Sequence, residues 1–282
     1  MKVAYLMLAH HKPRQFARVF AALYNPVDLF LVHVDRKATA QTHGAIAEVL
    51  AGRANVHCLR SRPLCWGGWS ISAIHLEAIR VLLALDVEWR YFANLSGQDY
   101  PLKPADAIRA ELAVQPDRNH VEAATIESFA RADRNDLYRR MRSLHIEVAG
   151  RVIDTRFPIP RWGKVRLEWK GSAWVTLTRD FCEWIDRDPF ARQCIRALRY
   201  TYIADEFLMQ TLGMNGPFAE TLTGDNRREI LWVGGSHPVT LTMQHSDRLL
   251  HSPAHFARKF DEDVDARILD VLARRIGVAP TS

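Results

Sequence analysis

The stretch Val3-Ala4-Tyr5-Leu6-Met7-Leu8-Ala9, followed by His10-His11-Lys12-Pro13, decides how this chain folds. It is an apolar run of strand length that stops abruptly at polar and basic residues. A second run, Leu29-Phe30-Leu31-Val32-His33-Val34, stops in the same way at Asp35-Arg36-Lys37. Between the two, Phe16, Val19, Phe20 and Leu23 share one helical face. Pro13 suits a first helical turn, where its missing N–H breaks no bond. The result is a strand–helix–strand unit with imidazole, carboxylate and cationic groups at both strand ends. Ligands of open α/β sheets bind at such ends, so a nucleotide or phosphate site is expected there.

The alternation continues outward. Residues 41–51 read as a helix and Asn55-Val56-His57-Cys58-Leu59 as a third strand. Trp66-Gly67-Gly68 breaks the chain. Ser70 then suits a helix cap, ahead of an apolar stripe of Ile71, Ile74, Ala78 and Leu82. Tyr91-Phe92-Ala93-Asn94-Leu95 is a fourth strand, ending in the turn-rich Ser96-Gly97-Gln98-Asp99-Tyr100-Pro101-Leu102. This pattern predicts an α/β fold with a mostly parallel central sheet flanked by helices. Beyond residue 115 the alternation weakens. An arginine-rich segment over 128–142 reads as a helix or ordered loop, and Trp174-Val175-Thr176-Leu177 as a strand. One or two helices follow over 179–199, then a helix from Asp205 to Leu212 with Asp205 as its cap. The segment from Arg227 to Thr242 is β-like, and a last helix covers Val264 to Ile276. No linker or repeat interrupts the 282 residues. They are expected to form one domain, with a ligand-binding half to about 115 and a second, catalytic half from about 116.

Composition narrows the partners. The chain is 48% apolar and 25% charged, with a net charge of +6. That balance is globular, and it favours an anionic partner or a solvated basic surface. The four cysteines, Cys58, Cys65, Cys182 and Cys194, show no zinc spacing. The apolar run at the N-terminus is too short for a membrane span and lacks a cleavage site. A cytoplasmic protein is therefore expected. Any peripheral contact with an inner membrane would come from surface charge.

Three segments have the residue types for chemistry. Many sugar transferases end a strand in Asp-x-Asp, which binds a divalent metal that neutralises a donor diphosphate. Here the strand ends Asp35-Arg36-Lys37, with cations in place of the second carboxylate. Asp186-Arg187-Asp188 and Asp261-Glu262-Asp263 have the spacing, but both adjoin helix ends, where carboxylates serve as caps. No metal is expected. In Phe256-Ala257-Arg258-Lys259-Phe260 two cations sit between aromatics, a pair able to stabilise a leaving diphosphate. Asp205-Glu206 offers a carboxylate that either caps a helix or acts as a general base toward a hydroxyl. Trp66 either stacks on a base or sugar or packs in the core.

The motifs, taken in order, resemble the core-2/I-branching glycosyltransferases, which include branching β-1,6-N-acetylglucosaminyltransferases and peptide O-xylosyltransferases. The matching segments begin with Ala4–Lys12, Phe30–Lys37, Trp66–Ser70 and Asn94–Leu102. Lys170-Gly171-Ser172-Ala173-Trp174, Asp205-Glu206-Phe207 and Phe256–Asp261 follow. The resemblance implies a GT-A type, Rossmann-like fold and inverting, metal-independent transfer from a UDP-sugar to a glycan or glycoconjugate hydroxyl. The sugar would be N-acetylglucosamine or xylose. The family's uridine contacts fall on Leu8, Ala9, His10, Asp35, Arg36, Lys37 and Trp66. Asp99 is grouped with the donor residues, and Lys259, with Arg258, falls on the diphosphate. The catalytic base falls on Glu206. Glu122 and Trp174 fall in the acceptor region. The branching enzymes place an arginine for the diphosphate near Ser236 of this chain. Two rival functions remain: a basic nucleic-acid-binding protein, and a relative that binds a nucleotide sugar without catalysis.

Overall fold

The computed structural model of the chain describes residues 1–159, 163–234 and 237–279. The first elements are β1 (Val3–Ala9), α1 (Pro13–Leu23), β2 (Leu29–Val34), α2 (Ala40–Leu50), β3 (Val56–Cys58), α3 (Trp69–Ala84), β4 (Tyr91–Ser96), β5 (Asp99–Pro101) and α4 (Ala105–Val114). Then come β6 (Ala124–Thr125), α5 (Arg131–Arg142), β7 (Ser143–Val148), β8 (Arg151–Pro158), β9 (Trp169–Lys170) and β10 (Thr176–Thr178). The chain ends with α6 (Arg179–Arg187), α7 (Pro189–Leu198), α8 (Leu208–Asn215), β11 (Arg228–Ile230), α9 (Ser246–His251), β12 (Phe256–Arg258), α10 (Glu262–Asp265) and α11 (Arg267–Arg275).

These elements form two compact units whose segments interleave. Unit 1 comprises Met1–Ser61, Asn94–Pro116 and Arg227–Ser282; unit 2 comprises Arg62–Ala93 and Asp117–Asn226. In unit 1, β1, β2 and β3 are parallel, with Ala4 opposite Leu29 and Phe30 opposite Val56. A second sheet orders β11, β12 and β5, the first pair parallel and the second antiparallel. In unit 2, β10 pairs antiparallel with the Tyr91–Ala93 part of β4, and β7 with β8 forms a hairpin.

The unit 1 core follows from the apolar periodicity. Phe16, Val19, Phe20 and Leu23 of α1 are buried against β1 and β2, where Tyr5 and Phe30 stack with ring centroids 5.4 Å apart. Each such side chain contributes roughly 2–3 kcal/mol by leaving water. β1 and β2 are apolar on both faces, as buried parallel strands are.

Four local expectations are corrected. α3 starts at Trp69 with Gly68 as its N-cap, and the Ser70 hydroxyl instead accepts from Cys65 N at 2.8 Å. The carboxylate of Glu147 takes the Ser70 amide at 3.0 Å, a side chain from far along the sequence doing the work of a local cap. Among the described residues, the Arg227–Thr242 segment is a strand only over β11. The last helix is two, α10 and α11. Asp205 lies inside a 3₁₀ turn, Ala204–Glu206, rather than capping a helix.

One buried charge ties unit 1 together. Asp28, fully buried, accepts from Val3 N at 2.9 Å, Asn25 Nδ2 at 2.8 Å and Arg109 Nη1 at 2.7 Å. Asp28→Ala would leave a guanidinium and an amide without their acceptor. The expected loss is about 3 kcal/mol or more of unfolding free energy, measured by urea denaturation. A loss under about 1 kcal/mol would mean the cluster is not structural.

Candidate functional site

Unit 1 gathers most of the expected donor residues at one sheet edge, while Trp66 lies in unit 2. Ala9 lies opposite Val34 at the ends of β1 and β2, and Asp35 N donates to the Ala9 carbonyl at 2.8 Å. Leu8, Ala9 and His10 therefore adjoin Asp35, Arg36 and Lys37. Gly97, just past β4, donates its N–H to the Leu8 carbonyl at 2.9 Å, bringing the Ser96–Asp99 corner to the same edge. Asp35 is buried; its Oδ1 accepts Lys37 N at 2.8 Å, and Lys37 Nζ lies 3.8 Å from Oδ2. The His10 and His11 rings stack with centroids 3.8 Å apart. Desolvation, then His11 and Lys37, hold His10 below the ordinary imidazole range against the pull of Asp35, so its ring is neutral at pH 7.

The cations of this edge are not equally available. Lys12 binds Asp263 at 2.7 Å and also Asp261. Arg258 sits opposite Asp99 in the β12–β5 ladder, its Nε 3.6 Å from Oδ1. Asp99 also accepts from the Ser96 hydroxyl at 2.7 Å and from the Ser96 amide. Among the described residues no carboxylate pairs with Lys259, which follows β12, or with Arg36. Ser236 lies outside the described residues.

Gln15 holds the corner together, and nothing local in the sequence marks it. Wholly buried, it donates to the carbonyls of Gly97 at 2.7 Å and Phe260 at 3.1 Å and accepts from Glu262 N at 2.8 Å.

Unit 2 contains the expected acid and acceptor residues. Glu206 ends the 3₁₀ turn that begins after Ile203, whose backbone is left-handed at φ 54° and ψ 49°. A β-branched residue there costs on the order of 1–3 kcal/mol, and such strain is found where the surroundings fix the chain for function. Here the fixing bond is Ile203 N to the Gly67 carbonyl at 2.8 Å. Gly67 is itself at φ 75°, and a Cβ on it would lie 2.6 Å from the Tyr202 ring. Tyr202 is held on three sides: edge-on by the exposed Trp66 at 6.0 Å, stacked by His145 at 5.3 Å, and covered by the Arg140 guanidinium at 5.8 Å.

Two cations face the Glu206 carboxylate. Lys170 Nζ is 3.6 Å and Arg140 Nη1 3.7 Å from Oε2. Asp136 fixes the other side of Arg140, accepting from Nε at 2.7 Å. The main chain of Lys170-Gly171-Ser172 runs alongside, with Gly171 N bonded to the Glu206 carbonyl at 2.9 Å. A Cβ on Gly171 would fall 1.8 Å from the Glu122 carbonyl oxygen, so only glycine lets these segments meet. Glu122 is exposed and accepts from Asn226 Nδ2 at 3.3 Å; Trp174, half-buried, donates its N–H to Ser172 Oγ at 3.2 Å. The structure thus brings Glu206, Glu122 and the Gly171–Trp174 segment together in unit 2, with Lys170 and Arg140 as members that no local motif marks as partners of an acid.

Three of the five arginines of α5 are paired with acids. Arg134 meets Glu127 at 2.7 Å, Arg139 meets Asp136 and Asp154 at 2.9 and 3.1 Å, and Arg140 is bound as above. This weakens the case for nucleic-acid binding. Among the described residues no three His, Cys, Asp or Glu side chains converge as a metal site would require. Asp186 pairs with Arg80 at 3.3 Å, and Asp188 caps α7 through Phe190 N and Ala191 N.

Comparison with known proteins agrees with these motifs. The chain is 30% identical over 248 residues to an N-acetyllactosaminide β-1,6-N-acetylglucosaminyl-transferase of Mus musculus, covering 83% of this chain and 61% of that protein. It is 27% identical over 303 residues to xylosyltransferase 2 of Homo sapiens, covering 96% of this chain and 33% of that one. The chain therefore spans less than two thirds of these relatives' lengths. Among solved structures, the galactosyltransferase LgtC with donor and acceptor sugar analogs superposes at a TM-score of 0.48 and 12% identity, over 100% of this chain and 97% of that one. The Core-2/I-Branching enzyme model matches residues 3–251, and the chain belongs to that family.

Proposed function

We propose that this protein is an inverting, metal-independent glycosyltransferase. It moves N-acetylglucosamine or xylose from a UDP-sugar to a hydroxyl of a glycan or glycoconjugate, forming a β-linkage. The observation that carries this reading is the Glu206 carboxylate, set on a strained turn with Lys170 and Arg140 beside it. Membership of the family and the names of its relatives, a β-1,6-N-acetylglucosaminyl-transferase and xylosyltransferases, support it.

In this reading unit 1 binds the nucleotide. Leu8, Ala9 and the neutral His10 ring meet the uracil, and Asp35 with Arg36 and Lys37 meets the ribose and phosphates. Asp99 holds Arg258 in place, and Lys259 and Arg36 offset the charge that grows on the leaving diphosphate. The acceptor, bound by Glu122 and Trp174, attacks the anomeric carbon through its hydroxyl oxygen from the face opposite UDP. The bond from that carbon to the β-phosphate oxygen breaks, and its electron pair leaves with UDP. Glu206 takes the hydroxyl proton. One displacement inverts the centre. The strand end Asp35-Arg36-Lys37, with no second carboxylate, supports charge compensation by side chains. Four free thiols, one of them the exposed Cys58, suit a reducing cytoplasm, and a net charge of +6 suits peripheral contact with an acidic membrane.

Glu206→Gln should lower kcat by roughly 10²–10⁴-fold, as loss of a general base does, while calorimetric UDP affinity stays within about twofold. Near-normal turnover in this variant would remove Glu206 from the role. Lys259→Met should weaken UDP binding by roughly tenfold or more, the worth of a charged hydrogen bond; unchanged affinity would contradict its place on the diphosphate. Transfer should proceed undiminished in excess EDTA, and a strict manganese requirement would overturn the metal-free reading.

A further inference from the structure

Unit 2 contains a second basic feature, independent of the segments discussed so far. A surface cavity of about 240 Å³ opens among α3, α6 and α7. Its apolar lining is the half-buried Leu76 and Ile195 over the buried Ile79 and Ile185. Its charged lining is Arg80, Arg192, Arg196 and Arg199, against the single acid Asp186. Asp186 is already engaged by Arg80 at 3.3 Å. Among the described residues no carboxylate pairs with Arg192, Arg196 or Arg199. Arg192 gives one donor to the Arg187 carbonyl at 2.8 Å, which satisfies an N–H and leaves the charge uncompensated.

The spacing makes this cluster costly to the isolated protein. Arg192, Arg196 and Arg199 fall on one face of α7, while Ala191, Cys194, Ala197 and Leu198 are buried on the other. Like charges three and four residues apart on a helix repel. The helix dipole accounts for cations near the C-terminal end, at Arg196 and Arg199. It does not account for Arg192 near the start of α7, or for Arg80 on another helix. On α5 three of the five arginines are matched by acids, whereas of the four around this cavity only Arg80 is, and a cluster so unmatched suits an outside anion. The half-buried Leu76 and Ile195 call for an apolar neighbour to that anion.

We infer that this cavity docks the phosphate headgroup of an anionic membrane lipid, with the guanidinium groups on the phosphate and Leu76 and Ile195 beside the glycerol and first acyl carbons. The site needs no glycosyl transfer, because lipid binding is read without turnover.

The test is co-sedimentation of the full chain with vesicles of phosphatidylcholine alone, or of phosphatidylcholine with phosphatidylglycerol. The wild type should bind only the anionic vesicles. A variant carrying Arg192→Gln, Arg196→Gln and Arg199→Gln should bind them about a hundredfold more weakly, the effect of three surface arginines. A control carrying Arg60→Gln, Arg274→Gln and Arg275→Gln loses the same formal charge from exposed positions of unit 1 and should stay within about threefold of wild type. Three results would each overturn the inference: wild type that ignores anionic vesicles, an α7 variant that binds as wild type does, or a control that loses as much. Calorimetry separates the sources of phosphate. Glycerol 3-phosphate binding as tightly as short-chain phosphatidylglycerol would assign the cavity to a soluble phosphate and sink the lipid reading.

Discussion

The hydrogen bond from Ile203 N to the Gly67 carbonyl is the constraint on which unit 2 turns. It holds a β-branched residue in left-handed backbone, a conformation the chain would leave if released. The turn that follows places Glu206. Gly67 can accept this bond because it is a glycine at positive φ whose bare Cα lets Tyr202 close over it. Tyr202 is in turn packed by Trp66, His145 and Arg140, and Arg140 reaches back to the carboxylate. The Trp66-Gly67-Gly68 segment thus has two consequences from one geometry: an exposed indole and a fixed acid. Neither consequence could be changed alone.

Unit 1 solves a different problem, the placing of positive charge. Lys12, Lys37 and Arg258 all stand near the sheet edge, yet each has an acid for company. Lys12 is consumed in tying the β1–α1 turn to the start of α10. Arg258 is held across a strand pair by Asp99, which fixes its guanidinium at the cost of part of its charge. An arrangement of this kind leaves Arg36 and Lys259 to meet an incoming anion, with the paired cations acting as framework. The division follows from the surroundings of each side chain rather than from residue type.

Legibility in the sequence tracked distance along the chain. β1, α1 and β2 were readable because their apolar periods are local and Pro13 punctuates them. The sheet-end position of His10 and Asp35–Lys37 followed from the same alternation. Glu206 stood out as a carboxylate, but its 3₁₀ turn did not, since the bond that imposes it comes from Gly67, more than a hundred positions away in the sequence. Glu147 as the cap of α3 was hidden for the same reason, at a separation of 77 residues. Gln15 was silent altogether: an amide inside an amphipathic helix reads as a polar face until Gly97 and Phe260 arrive from 82 and 245 residues on. Lys170 and Arg140 were visible as cations in a motif and in an arginine-rich helix. Their common target was not.

A net charge of +6 therefore says less than its distribution. In α5, Arg134, Arg139 and Arg140 reach Glu127, Asp136 and Asp154, and Arg140 also faces Glu206. In α7 the same residue type recurs with the nearby acids spent elsewhere, Asp188 on the helix N-terminus and Asp186 on Arg80. Two helices of one unit, each rich in arginine, so differ in whether the charge is answered from within. A chain that answers three arginines of one helix through four ion pairs has the means to answer those of another. The unanswered charge on α7 is thus a property of that face and not of the composition.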